Sequence, residues 1–314
     1  MFMKSILNFT EITKKDVELA GGKGASLGEM TNHGIPVPPG FVILSTAFDK
    51  FIAETGMNAE IDAALDDVDH QKMHTVEDVS ERIRSIIMNV PMPEDLAKEI
   101  YDHFEKLDAK LVAVRSSATA EDSSAAAWAG QLDTFLNTNK ETLIENVRKC
   151  WASLFTPRAI FYRFEKELHK QYISVAVVIQ KMVESEISGI AFSVHPVTQD
   201  RNQLIIEAGL GLGEAVVSGQ ITPDSYVVDK QDYTIIDINV SEQNKKLVLG
   251  SSGSGSDWVD ITDGGEQKLT GKEIIELSKL VVLIEEHYKF PCDIEWAVMK
   301  GKFYVTQSRP ITTL

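Results

Sequence analysis

Apolar and polar residues alternate most regularly close to residue 300. Asp293 to Val298 and Lys302 to Gln307 each read as a half-buried strand, and the Met-Lys-Gly between them predicts a β-hairpin. Because side chains alternate along a strand, Asp293 and Glu295 share one face of the first strand and Ile294 and Trp296 the other. Unbroken alternation in the second strand groups Tyr304, Thr306 and Ser308, with Phe303, Val305, Gln307 and Arg309 opposite them. Just upstream, Thr270 is placed to cap a helix running from about Lys272 to Tyr288.

The remaining pattern falls into two regimes. From Ser188 onward it predicts short strands, in SGIAFSVHP, NQLIIEAGLG, DSYVVD and TIIDINV, with GSSGSGSD at 250–257 as a linker. Before Ser188 helices dominate. Apolar residues three and four apart with charges between them, as in Val76 to Met88 and Pro93 to Leu107, predict surface helices up to about residue 108. Lys140 to Phe155 and Pro157 to His169 read as two more, with Cys150 and Trp151 in the core. Leu111 to Val114 reads as a buried strand delivering Arg115 at its end, where α/β proteins place ligand contacts. Asp133 to Leu136 forms another strand, and 173–183 an almost continuous apolar one, interrupted at Gln180 and Lys181.

Of 314 residues, 43% are hydrophobic and 25% charged, which places the chain among folded globular proteins rather than disordered ones. A net charge of -16 argues against nucleic acid as a partner, since such a chain repels a phosphate backbone. Charges more than about 8 Å apart are largely screened at physiological salt, so a small anion can still bind wherever local cations gather. Cys150 and Cys292 are too few for a disulfide framework and are expected to be reduced. No run of about 18 apolar residues predicts a membrane span, and a cytoplasmic protein is expected.

Three stretches carry candidate chemistry. VELAGGKGASLGEM, residues 17–30, sets glycines around Lys23 and starts a helical pattern through Ala25, Leu27 and Met30. Glycine lets backbone amides approach an anion, and the lysine adds a full charge, although the spacing matches neither a Walker A loop nor a dinucleotide fingerprint. A plain glycine turn entering a helix is the alternative. Arg115 is followed by the small-residue run SSATAEDSSAAAWAG, which suits a low-bulk flap over phosphates or, equally, an ordinary surface loop. In the hairpin, Glu295, Gln307 and Arg309 combine hard oxygen donors with a guanidinium, as a magnesium-bound polyphosphate requires; a polar edge with one salt bridge is the alternative.

D-I-E-W followed by Q-S-R-P, together with G-G-K-x-A-S-L-G-E-M and V-R-S-S-A-T-A-E-D-x-x-x-A-x-x-A-G-Q, resembles the nucleotide-binding domain of the phosphoenolpyruvate synthase and pyruvate phosphate dikinase family. The ATP-binding domain of rifampin phosphotransferase is similar too. The likeness extends from Gly21 to Pro310. It implies an α+β ATP-grasp fold of two lobes with the nucleotide in the cleft between them. The lobes would be 1–183, with a helical insertion at about 45–108 and a phosphate loop at 116–130, and 184–314. It also implies that ATP is bound by Lys23, Arg115, Gly130, Thr134, Gln180, Glu295, Gln307 and Arg309. Glu295 and Gln307 would hold Mg2+, and Lys23, Arg115 and Arg309 would act in catalysis.

In such proteins this domain passes the β-phosphate of ATP to a histidine on a separate swivelling carrier domain, which takes it to an acceptor domain. No histidine here lies in a T-C-H-A-A or T-S-H-A-A motif, so carrier and acceptor domains are expected elsewhere, in cis or on other chains. The acceptor would be pyruvate or an antibiotic hydroxyl. A nucleotide-binding module without transfer activity is the reading from another class.

Overall fold

A computed structural model describes residues 4–119, 132–169, 171–250 and 255–312. The chain is mixed helix and sheet, as the α+β expectation has it, and divides into two compact units. Met1–Glu29 and Pro39–Met182 form the first; Met30–Pro38 and Val183–Leu314 form the second.

The first unit runs β1 (Ile6–Asn8), α1 (Val17–Asn32, whose last turn belongs to the second unit), β2 (Gly40–Ile43), α2 (Ser45–Glu54), α3 (Asn58–Asp66), α4 (Met73–Asn89), α5 (Glu94–Lys106), β3 (Val112–Ala118), β4 (Thr134–Thr138), α6 (Leu143–Ala152), α7 (Pro157–Glu165) and β5 (Val175–Lys181). Its five strands pair in the order β1-β2-β5-β3-β4, every neighbouring pair antiparallel. Strand β5 lies at the centre, which is why its sequence is a continuous apolar run: both faces are covered. One face carries Phe41, Ile43, Val114, Val177 and Ile179 into a core shared with Phe51, Ile83, Ile100 and Trp151 of the helices. Trp151 is fully buried and stacks on Phe51 with ring centroids 5.0 Å apart.

Two expectations need correction here. Strand β3 does not stop at Arg115 but continues through Ser116, Ser117 and Ala118, held along its length by β5. Arg115 is therefore a mid-strand residue of an antiparallel sheet, and the rule about strand ends in parallel sheets does not apply. The glycine-rich segment is likewise not a loop leading into a helix. Helix α1 begins at Val17 and is kinked at Gly21, whose φ of 67° favours glycine. Gly24 and Gly28 are helical and serve packing: a Cβ on Gly24 would stand 3.1 Å from a Val42 methyl, and one on Gly28 2.6 Å from the Ile12 carbonyl oxygen. These glycines bring the helix close to its neighbours.

The second unit runs β6 (Ile187–Phe192), β7 (Gln203–Leu210), α8 (Glu214–Val217), β8 (Asp224–Asp229), β9 (Ile235–Asn239), β10 (Lys245–Leu249), β11 (Ser256–Asp260), α9 (Gly271–Tyr288), β12 (Cys292–Met299) and β13 (Lys302–Pro310). Six strands form an antiparallel sheet in the order β13-β12-β6-β7-β8-β9, and β10 pairs with β11 separately. The presumed linker at 250–257 is shorter than expected, because Ser256 and Asp257 pair with Leu249 and Val248. Thr270 caps α9 as expected, in a capping box with Glu273, and the helix buries Ile274, Leu277, Val281 and Ile284. The segment entering α9 is tied to the sheet by a buried ion pair, Lys268 Nζ to Asp224 Oδ1 at 3.0 Å. No helix among the described residues is long and apolar enough to cross a membrane.

Candidate functional site

Lys23, Arg115, Thr134 and Gln180 belong to the first unit, and Glu295, Gln307 and Arg309 to the second. Gly130 lies outside the described residues, as does most of the small-residue run that follows Thr119.

In the first unit, register decides who meets whom. Paired residues of an antiparallel sheet share a face, so Val42, Val178, Arg115 and Thr134 form one row, and Gly40, Gln180 and Ala113 the next. This face is turned away from the helical core, because the alternate residues Phe41, Ile179 and Val114 enter it. Arg115 and Gln180 are thus diagonal neighbours. Both are buried, and the Arg115 guanidinium donates to the Gln180 amide oxygen at 3.1 Å. Thr134, directly across from Arg115 on β4, is exposed. Helix α1 touches the same face: Gly21 packs on the Ser117 backbone, and the Gly24 amide donates to Ser117 Oγ at 3.3 Å. Lys23, next to Gly24, is half-buried just past the kink, in the first turn of the longer part of α1.

In the second unit the hairpin forms as expected, with one alteration. Glu295 lies opposite Gln307 and Asp293 opposite Arg309, but the register shifts between Glu295 and Trp296, leaving Thr306 as the extra residue of a bulge. A bulge reverses the alternation beyond it. Val305 and Phe303 consequently pair with Trp296 and Val298 on the apolar face, while Ser308 joins them opposite Ile294, and Tyr304 moves to the polar side opposite Ala297. The grouping read from unbroken alternation is thereby corrected for Phe303, Val305, Tyr304 and Ser308. Glu295, Gln307 and Arg309 do share a face.

Two further carboxylates join this face. Asp293 accepts from Arg309 Nε at 2.8 Å and lies 2.7 Å from its terminal nitrogen, so it orients the guanidinium. Glu207 is reached through the sheet: Glu295 pairs with Ile190 on β6, and Ile190 with Glu207 on β7. Burial raises the Glu207 pKa above the usual carboxylate range, and the charge of Asp293 raises it further. Asp293 could have been found from its alternation with Glu295. Glu207 could not, since only strand pairing relates β7 to β12.

The cysteines take no part in such a site. Both are buried free thiols, and burial pushes each up to about 12, so neither is a thiolate at neutral pH.

Two carboxylates and an amide beside an ion-paired arginine on one unit, and a buried arginine and a half-buried lysine on the other, are groups suited to metal-bound and phosphate-bearing ligands. The family model described as pyruvate phosphate dikinase, AMP/ATP-binding domain, matches residues 17–314. The chain belongs to that family. It is 44% identical over 321 residues to a protein of Methanocaldococcus jannaschii named probable phosphoenolpyruvate synthase, covering 99% of this chain and 27% of the relative. A protein of the same name from Methanothermobacter thermautotrophicus is 43% identical, with 99% of this chain and 46% of the relative covered. The phosphoenolpyruvate synthase of Pyrococcus furiosus is 40% identical over 356 residues, with coverages of 98% and 43%. The chain therefore spans between about a quarter and a half of the length of these relatives.

Proposed function

We propose that this chain is the ATP-binding, phosphoryl-donating part of a phosphoenolpyruvate synthase-like phosphotransferase. In this reading the fold is ATP-grasp, and the two groups of residues serve a single nucleotide. Phosphate then passes to a histidine on a carrier domain, and from there to an acceptor domain. The observation that carries the reading is the cross-strand pair Glu295–Gln307 with Arg309 on the same face. Hard oxygen donors in that arrangement fit magnesium, which binds carboxylate and amide oxygens and keeps several waters. Glu295 and Gln307 would hold the ion, and the ion would neutralise polyphosphate charge.

The protein's own groups then have separate tasks. Arg309, oriented by Asp293, offers its remaining N–H donors to a phosphate oxygen. Arg115, buried at the sheet surface, offers a guanidinium in a low-dielectric setting where its attraction for phosphate is strong. Lys23 adds a point charge beside the start of the main part of α1, where the helix dipole also favours anions. Together these cations supply what a net charge of -16 otherwise opposes. Phosphoryl transfer relies mostly on such positioning and charge stabilisation, with no protein nucleophile needed in this domain. The relatives' name, phosphoenolpyruvate synthase, supports pyruvate as the eventual acceptor.

Calorimetric titration with ATP tests the reading. Binding is expected to require magnesium and to weaken at least about ten-fold in Glu295→Ala and in Arg115→Met, each the equivalent of one charge-assisted contact. Incubation with ATP labelled in the β-phosphate and a candidate histidine domain should give acid-labile phosphoprotein. Failure of the wild-type chain to bind ATP at all would sink the proposal.

A further inference from the structure

Apart from the residues assigned above, two histidines of the second unit meet. His33 follows directly on the last residue of α1, and His287 lies in the last turn of α9. Their ring centroids are 3.8 Å apart with the planes inclined by 45°, and a ring nitrogen of one lies within 4.8 Å of a ring nitrogen of the other. His33 is exposed and His287 half-buried, so solvent reaches the pair.

The backbone carrying both rings is fixed. Gly34, at φ 72°, closes α1 in the left-handed conformation while the Ile35 amide returns to the Met30 carbonyl at 3.1 Å. Lys289, at φ 65°, closes α9 with its amide on the Glu285 carbonyl at 2.8 Å. The segment 30–38 is held to the same unit a second time, by the Val305 amide donating to the Pro36 carbonyl at 2.8 Å. The C-terminal end of a helix is its negative pole, equivalent to about half an elementary charge. Two such ends beside one pair of rings, in a chain of net charge -16, favour a cation there.

Imidazole nitrogens choose among cations. Zn2+, Ni2+ and Cu2+ accept them readily, whereas Mg2+ and Ca2+ prefer oxygen. Bonds of about 2.0–2.1 Å put two nitrogens on one ion roughly 3–4 Å apart, within reach of a small rotation of the exposed His33 side chain. Glu29, one turn before His33 on α1, is already engaged by the Lys14 amide at 3.0 Å and the Lys14 ammonium at 3.7 Å, so the site rests on the two imidazoles, with water completing the coordination.

We propose that His33 and His287 form a binding site for a divalent transition-metal ion of the zinc, nickel and copper class. The ion ties the segment between α1 and β2 to the end of α9. This site stands whether or not the chain binds ATP, and it discriminates against the magnesium a nucleotide brings.

Calorimetric titration of the metal-stripped, untagged chain with Zn2+ tests it. Expected are a dissociation constant below about 100 μM, a loss of at least about ten-fold in His33→Asn and in His287→Gln, and unchanged Zn2+ affinity in excess Mg2+. Cu2+ bound to the wild type should show an electron paramagnetic resonance spectrum split by two nitrogens, reduced to one in His33→Asn. Thermal melting without metal checks that the variants fold; should His287→Gln fail, the exposed position His33 and the copper spectrum carry the test. Zn2+ binding weaker than about 1 mM, an affinity unchanged in His33→Asn, displacement by Mg2+, or a single nitrogen in the wild-type copper spectrum each overturns the proposal and leaves the two rings as a packing contact.

Discussion

Removing Asp224 should destabilise the second unit more than removing its partner Lys268, although both side chains are fully buried and joined at 3.0 Å. The asymmetry follows from who else solvates each charge. Asp224 accepts from the Tyr226 hydroxyl at 2.7 Å, from the Lys268 amide at 2.8 Å and from the Ser241 amide at 3.0 Å. Those donors remain in Lys268→Met, leaving a carboxylate that is still well hydrogen-bonded. Lys268, by contrast, has only neutral carbonyls besides Asp224 among its recorded partners, those of Gly264 at 2.8 Å and Ser241.

In Asp224→Ala an ammonium is left without a counter-charge, and two backbone amides and a phenol lose their acceptor. Stranding a buried charge costs about 3–5 kcal/mol. Loss of hydrogen bonds around a charge that stays solvated costs about 1–3 kcal/mol. In urea, with an m-value of about 2 kcal/mol per molar, the larger loss lowers the midpoint by about 1.5–2.5 M. Tryptophan fluorescence reports on this unit through Trp258 and Trp296, and Trp151 in the other unit gives a second transition if the two unfold separately. Combining Asp224→Ala with Lys268→Met should recover stability over Asp224→Ala alone, because the stranded charge is gone. A double variant that loses the sum of the two single losses would refute the reasoning, as would Lys268→Met proving the more damaging.

Gly21→Ala should destabilise the first unit by about 1–3 kcal/mol from the backbone alone, because φ 67° with ψ 171° is a region held almost entirely by glycine, with more from the Cβ meeting Ser117, measured as a lower urea midpoint. Gly34→Ala, also at positive φ but with open space around it, should cost less, since its Cβ meets no neighbour. Glu207 makes stability fall as pH rises: its folded pKa is raised, so the folded state holds a proton that the unfolded state has released between the ordinary carboxylate range and the raised value. Glu207→Gln should flatten that part of the pH–stability curve measured by thermal melting, and an unchanged slope would show that the group is not desolvated as its position indicates.

Elements with strong local signals were legible in the sequence. The capping box at Thr270 and Glu273 and the turn between β12 and β13 need only neighbouring residues, and both were found where the pattern puts them. Misreadings arose where a local rule met a neighbour it could not see. Alternation failed beyond Thr306 because a bulge is a property of two strands pairing. Gly24 and Gly28 looked like an anion cradle, yet what makes them necessary is Val42 and Ile12 against the helix. Arg115 was assigned to a strand end since apolar residues stop there, while β5 goes on pairing three residues further.

What the sequence determined by itself was the kind of chemistry available: a carboxylate, amides and cations in short motifs, whose identity is written in the residue order and whose family is shown by it. The tertiary structure decided which of those groups can act on one another. Gln180 and Arg115 are 65 positions apart, and Glu207 and Glu295 are separated by a whole strand, so neither relation exists in any local pattern. Both come from hydrogen-bonded register, in which one residue of slip would turn each side chain to the opposite face.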